Sequence, residues 1–365
     1  MKQIKDLATA VELFGGNATL SEAVLTLDCD GCILRLRSNS EKLIGHLTDY
    51  FSHLVCETTN PDMEILAIES EVLNLADEFI DWQREPGKAG RKDAYLDIPE
   101  ARLVKKVRTG MLFLQSETHR IAAGPCLEYD NQVINFINAQ YMNWLQQRDW
   151  LICHASGLVR NGVTLGMAGL SGGGKSTLML QLLEHADVDY LTNDRLFICQ
   201  EAGRVEARGI PKLPRINPGT IVTNPTLERM IPEQQRKALL SLPKQELWEL
   251  EDKYDVDVEA MYGAGRITTQ APLHAFLVLN WQRESDEPLQ LKQVDLDQRP
   301  DLLSAIMKSP GPFYQYADGG FFQDTTALDE QTYLRLLKDI PVFEARGKID
   351  FAGLKHRCYT ELLHP

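Results

Sequence analysis

The chain has 365 residues, 44% of them hydrophobic and 25% charged, and carries a formal net charge of −14. That length accommodates one large domain or two ordinary ones with real cores, and the acidic balance excludes a surface built to neutralise the phosphates of a nucleic acid. No run of about 18 apolar residues occurs, and the opening MKQIKDLATAVELFGG has no apolar core followed by a cleavage site, so no membrane partner is expected and the expected location is cytoplasmic.

In chain order, LTLDCDGCILRLRS alternates apolar and polar residues around Asp30 and Gly31, which predicts a β-hairpin. Cys29 and Cys32 form a CxxC there, but they fall on the turn and have no second pair, whereas a zinc site uses four ligands. They read as structural, and the seven scattered cysteines read as reduced thiols. Residues 38–41, SNSE, have the form of a capping box led by Ser38, followed by Leu43, Ile44, Leu47, Phe51 and Leu54 at helical spacing. Strands are expected at MEILAIE (63–69), ARLVKKV and GMLFLQS, with an exposed basic loop at 84–93 and a helix at NQVINFINAQYMNWLQQ. Residues 1–140 thus read as an α+β region without visible chemistry.

The remainder, 141–365, is organised differently. WLICHASGLV, the turn at Asn161 and Gly162, and VTLGMA predict strand, tight turn, strand, the second running into a glycine-rich loop. STLMLQLLEH predicts a helix, VDYLT a strand ending at Asn193 and Asp194, and FICQEAGRVEARG a hairpin. A proline-rich connector and a helical, acidic stretch at about 226–262 follow. LHAFLVLNW, LQLKQVD, two late helices and the strand IPVFEARG close the chain.

The loop itself satisfies the full G-x4-G-K-[ST] pattern of a P-loop at Gly169, Gly174, Lys175 and Ser176, between a strand and a helix. Gly169, Gly172, Gly173 and Gly174 let the backbone adopt positive φ and turn its N–H groups inward as an anion nest. Lys175 is placed to reach the β- and γ-phosphates, and the Ser176 hydroxyl to ligate the accompanying Mg²⁺, at the positive end of the helix. A second acid to hold the metal is expected at the end of a neighbouring strand, and Asp194 fits, 19 residues after Lys175.

These residues resemble a specific branch of P-loop proteins. GLSGGGKSTL is similar to GLSGTGKTTL, the phosphate loop of ATP-dependent phosphoenolpyruvate carboxykinases, and the wider arrangement resembles HPr kinase/phosphorylase. In that family a histidine-bearing strand precedes the loop, a pair of acids follows it, and an E-x-R-G segment comes next. Here the corresponding residues are His154, Asn193 with Asp194, and Glu206 to Gly209. Through KKVRTGMLFL and NQVINFINAQY the resemblance extends to HprK-related kinases, the B type above all, which are associated in the GAK system with ATP-grasp and amphi-Trp proteins.

The resemblance implies an α/β fold, an HPr kinase/PEP carboxykinase-like P-loop core of mixed sheet behind the N-terminal α+β region. It implies that Gly169, Leu170, Ser171, Gly172, Gly173, Gly174, Lys175, Ser176 and Thr177 bind ATP and that Ser176, Asp194 and Glu206 hold Mg²⁺. His154 would lie near the γ-phosphate, Arg208 would offset charge on the transferring group, and Arg266 matches a position near the nucleotide. The hexamers of the related family imply a homo-oligomer.

One departure bears on mechanism. The family has two adjacent aspartates after the loop, one of which accepts the proton of the serine hydroxyl under attack. This chain has Asn193, Asp194 and Arg195, and an amide does not take that proton. Either Asp194 does both jobs, or the alignment shifts by one and Arg195 replaces the second acid. Three readings follow: an ATP- and Mg²⁺-dependent kinase acting on a hydroxyl, serine first, of a protein or small-molecule acceptor; a catalytically weak ATP-binding regulatory module; and a carboxykinase-like enzyme, ranked last because no metal-binding Lys and His constellation precedes the loop.

Overall fold

The computed structural model describes residues 4–15, 18–83, 90–169, 173–250, 252–282 and 284–364. It is a mixed α/β protein in two units, Met1–Arg148 with Ser309–Ala327, and Asp149–Lys308 with Leu328–Pro365. Among the described residues no helix is long and apolar enough to cross a membrane.

The first unit contains α1 (Leu7–Gly15) and strands β1 (Val24–Asp28), β2 (Ile33–Ser38), β3 (Met63–Glu69), β4 (Ile80–Asp81), β5 (Asp93–Ile98), β6 (Ala101–Lys106), β7 (Leu112–Ser116) and β8 (Arg120–Gly124). Helices α2 (Glu41–Tyr50) and α3 (Asp130–Gln146) complete it, and the sheet order is β1-β2-β3-β8-β7-β6-β5-β4. The β1–β2 hairpin forms as its sequence predicts. Asp30 and Gly31 take φ of 54° and 87°, and Cys29 and Cys32 exchange backbone hydrogen bonds across the turn. Both thiols are buried, and burial pushes Cys32 up to about 12, which suits packing rather than reactivity.

The cap of α2 is not Ser38 but Ser40, whose hydroxyl accepts from the Leu43 amide at 3.3 Å. Ser38 is the buried last residue of β2, and its hydroxyl donates instead to the Ala67 carbonyl at 2.6 Å. The division at residue 140 suggested by composition falls inside α3, whose Val133, Ile137, Tyr141 and Leu145 are buried. Segment 309–327 joins this unit through Arg102, a fully buried guanidinium on β6. It donates to both carboxylate oxygens of Asp97 at 2.6 and 2.8 Å, to the Pro312 and Phe322 carbonyls, and lies over the Tyr95 and Phe321 rings.

The second unit begins with β9 (Leu151–Cys153), β10 (Ala155–Arg160), β11 (Val163–Gly169), α4 (Lys175–Leu182), β12 (Asp189–Thr192) and the hairpin β13 (Leu196–Glu201) to β14 (Arg204–Arg208). A mostly helical stretch follows, with the short pair β15 (Arg215–Ile216) and β16 (Tyr254–Asp255) around α5 (Pro218–Val222), α6 (Glu233–Leu240) and α7 (Lys244–Glu249), then α8 (Val258–Tyr262). The chain continues through β17 (Gln270–Leu279), β18 (Gln290–Val294), α9 (Pro300–Ile306), α10 (Glu330–Leu337), β19 (Val342–Arg346) and α11 (Phe351–Arg357). Helix α11 is one that the sequence pattern does not announce. Its N-cap Asp350 accepts from the Gly353 amide.

Strand β17 organises the sheet. Its last residues pair in parallel with β11 on one side and β19 on the other, while its first three pair antiparallel with β14. Two cores flank the sheet. On one face α4 and α11 pack with Leu165, Leu277 and Leu279, and on the other α9 and α10 pack with Phe276, Val278 and Ile198. All apolar residues of α4 are buried, as expected of a helix hydrophobic on every side. The carboxyl ends of β11 and β17 therefore stop together at the glycine-rich loop.

Candidate active site

The loop between β11 and α4 is held from both ends. Gly169 is the last residue of β11, and a Cβ there would meet Leu279 at 3.0 Å, so this glycine serves close strand approach rather than positive φ. Leu170, Ser171 and Gly172 lie outside the described residues. The Gly173 carbonyl accepts from the Trp281 indole at 2.8 Å. Gly174 is left-handed, with φ 84° and ψ 17°, and a Cβ on it would stand 2.6 Å from the Phe351 ring. Phe351 in turn meets Trp281 edge to face at 4.8 Å. Trp281 follows β17 and Phe351 begins α11, so two distant segments shape the entry to α4.

The functional side chains converge because one β-ribbon opens in its middle. β9 pairs with β13 at Cys153 and Leu196, and β10 pairs with β12 at Gly157 and Thr192, in the same register. The ladder is interrupted between those pairs. Residues 154–156 face 193–195 across the gap, and the carboxyl end of β11 lies alongside. His154 Nε2 sits 3.3 Å from Asp194 Oδ1 and 3.4 Å from Lys175 Nζ. Lys175 Nζ also donates to the Gly169 carbonyl at 3.1 Å. Ser176 donates to the Asn193 side-chain oxygen at 2.8 Å, and Thr177 meets the Thr220 hydroxyl at 3.0 Å.

Charge is concentrated here against the acidic average of the protein. Asp194 is paired with Arg195. Burial works to raise the Asp194 carboxyl, but Arg195, His154 and Lys308 outweigh it and hold it well below the usual carboxylate range. Half of its side-chain surface, 51%, is exposed, and Arg195 and His154 touch it directly. His154 is pulled up by its bond to Asp194, yet burial and the ammonium groups of Lys175 and Lys308 leave it below its ordinary value and hence neutral at pH 7. Lys212, whose carbonyl accepts from the Tyr190 hydroxyl at 2.8 Å, is lowered to about 8 by burial and by Arg195.

Lys308 is brought in by α9. His154 donates its backbone N–H to the Ile306 carbonyl at 2.7 Å, Cys153 bridges to Met307, and the buried Tyr333 hydroxyl donates to the Ile152 carbonyl at 2.6 Å while accepting from the Lys308 amide at 3.3 Å. Nothing in the sequence around Lys308, Trp281 or Phe351 marks them as site residues.

Other expected residues lie elsewhere. Glu206 pairs with Cys199, three residues along β13 from Leu196, or about 10 Å down the strand. Its buried carboxylate accepts from Arg204 Nε at 2.5 Å and Gln270 Nε2 at 3.3 Å. Glu206 is therefore set apart from Asp194 along the strand, and among the described residues no three His, Cys, Asp or Glu side chains form a metal site. Arg208 is stacked over Trp150 at 4.7 Å and bonded to Gln270. Gly209 ends the E-x-R-G segment because a Cβ would collide with the Leu191 carbonyl. Arg266 is not near the loop. Its buried guanidinium donates to the Leu183, His185, Val188 and Tyr262 carbonyls, satisfying the carboxyl end of α4 and the turn after it.

The arrangement offers an ionised carboxylate, a neutral imidazole and several ammonium or guanidinium groups around a helix start, a set suited to phosphate chemistry. No family model matches the chain, and no curated protein matches it. Among solved structures it is similar to the HPr(Ser) kinase/phosphatase of Coxiella burnetii, with 13% identity, covering 58% of this chain and 87% of that one, at a TM-score of 0.28.

Proposed function

We propose that the protein is an ATP- and Mg²⁺-dependent kinase of the HprK-related type that phosphorylates a hydroxyl, serine first, of a protein or small-molecule acceptor. The observation that carries this reading is the chain of contacts Lys175 to His154 to Asp194 at the carboxyl end of β11, beside Ser176. The fit to a nucleotide is supported by Gly174, whose left-handed backbone keeps the start of α4 clear of a Cβ. ATP supplies the phosphoryl group, and Mg²⁺ neutralises charge on it.

The residues of the chain have separable tasks. Lys175 and the described loop backbone at Gly173 and Gly174 would hold the phosphates, and Ser176 with Asp194 would hold Mg²⁺ through oxygen, the ion supplying charge neutralisation on the phosphates. Asp194, ionised at neutral pH, orients the acceptor hydroxyl and takes its proton as the acceptor oxygen bonds to the γ-phosphorus and the bond from that phosphorus to the bridging oxygen breaks, releasing ADP. His154, neutral, keeps Lys175 and Asp194 apart without adding charge. Glu206 and Arg208 share Gln270, the first residue of β17.

A second reading has its own observation. Asn193, an amide, occupies the place where Ser176 finds its acceptor, which suits a module that binds ATP without transferring phosphate. Incubation with Mg-ATP labelled at the γ-phosphate and lysate of the source organism separates the two. Labelling of a defined acceptor, abolished by Lys175→Ala, supports the kinase. Nucleotide binding without any labelled acceptor supports the regulatory module.

A further inference from the structure

We infer that Lys308 is a second phosphate-contacting lysine, which approaches the terminal phosphate of the nucleotide from the α9 side of the ribbon gap. The inference rests on the ATP-binding reading above and goes beyond it, since Lys308 belongs to no loop motif.

The argument starts from backbone register. Cys153 faces Met307, and His154 donates to Ile306, so Ile152 stands opposite Lys308. Met307 is extended, with ψ 145°. Side chains alternate faces along a strand and match across a bridge, which puts those of residues 152 and 154 on one face together with that of 308, opposite 152, and those of 153 and 307 on the other, while Ile306, the last residue of α9, packs in the core with Cys153. Lys308 thus leaves the backbone on the face of His154 as its diagonal neighbour, roughly 7–8 Å away, a distance that a lysine stem covers. The Tyr333 hydroxyl fixes this register by bonding residue 152 on one strand and residue 308 on the other. Lys308 acts electrostatically on both His154 and Asp194, in keeping with that register.

Lys175 already neutralises charge from the loop side. A second ammonium from the opposite side matches an anion with several negative oxygens, and the end of a nucleoside triphosphate has more of them than a diphosphate does. The inference therefore predicts selectivity between the two nucleotides, a property that merely holding α9 in place would not confer.

The test is equilibrium binding of Mg-AMP-PNP and Mg-ADP to the full chain by calorimetry. Lys308→Met should weaken AMP-PNP about tenfold or more and ADP less than twofold, and Lys308→Arg, which keeps the charge, should retain most of the preference. Should Lys308→Met fold poorly, Tyr333→Phe provides the second variant, since it keeps the ring in the core and removes only the hydroxyl that fixes residue 308. It should reduce the AMP-PNP preference several-fold. Equal losses for both nucleotides, or none, would overturn the inference and leave the ATP-binding reading intact. Failure of the unsubstituted protein to bind either nucleotide would remove that reading, and the inference with it.

Discussion

Replacing Gly174 by alanine tests whether the loop geometry is built around a missing Cβ. Two costs are separable. The residue has φ 84°, a left-handed conformation that costs a non-glycine residue about 1 kcal/mol. The new methyl would also stand 2.6 Å from Phe351 Cζ and 2.9 Å from Cε1, with Trp281 at 3.6 Å behind. The ring must move, and it is braced edge to face against Trp281. Overpacking of this kind costs about 1–3 kcal/mol, so the total loss for Gly174→Ala is about 2–4 kcal/mol. Urea unfolding with an unchanged slope measures it. In a Phe351→Leu background the steric part should largely vanish, leaving about 1 kcal/mol. A loss below about 0.5 kcal/mol, or an identical loss in both backgrounds, would refute the reasoning.

Three further outcomes follow from particular residues. Arg102→Met should destabilise by about 2–3 kcal/mol, because it leaves the Pro312 and Phe322 carbonyls without their guanidinium donor and removes a buried ring-stacked cation, while Asp97 keeps Gln323 and solvent; a urea-derived loss under about 1 kcal/mol would contradict this. Lys212, held at about 8 when folded, binds fewer protons in the native than in the unfolded chain between about pH 8 and 10.4. Its charge costs stability in full below pH 8, and the cost fades as pH rises through that window, so Lys212→Met should be the more stable protein at pH 7. Urea midpoints should converge by pH 10, and an unchanged gap there would speak against burial as the cause. Lys175→Ala should abolish nucleotide binding as well as any transfer, since it removes the cation of the loop, and calorimetry with Mg-ADP checks it.

Much of the candidate site's arrangement was legible because its parts are close in sequence. His154, the loop, Lys175 and Asp194 lie within 41 residues, and strand, loop, helix and return strand leave little choice about which ends meet. Hairpins at residues 29–32, 161–162 and 202–203 were legible for the same local reason, each carrying a residue that tolerates positive φ. What pattern did not reveal arrives through tertiary packing. Lys308 is 133 residues from Lys175 and is placed by an interstrand register. Trp281 read as an ordinary strand residue, and Phe351 opens a helix whose sequence, FAGLKHR, has a glycine in its first turn. Arg266 was misread because an arginine that caps carbonyls looks, in sequence, the same as one that meets phosphate. Ser38 and Ser40 differ only in which one ends the strand.

The pair Asn193 and Asp194 carries the remaining mechanistic weight. A carboxylate held well below its usual range by Arg195, His154 and Lys308 is a weak base, which at first sight argues against Asp194 as the proton acceptor. Phosphoryl transfer relaxes that objection, because its loose transition state asks little proton removal until the new bond is well formed. Positioning then matters more than basicity, and an acid that is ionised at every physiological pH is always ready to accept. Asp194→Asn should accordingly leave nucleotide affinity within about tenfold while lowering transfer by about 10² to 10⁴, and full activity in that variant would remove Asp194 from the mechanism. Asn193 makes a different demand, since its oxygen accepts from Ser176 at 2.8 Å. Asn193→Asp keeps an acceptor at that position and adds a charge next to Asp194. If the protein is a kinase, this change should tighten its use of Mg²⁺ without being required for turnover. If it is a regulatory module, the same change should create transfer where none existed, because the amide would then be what keeps a complete nucleotide site from acting on an acceptor.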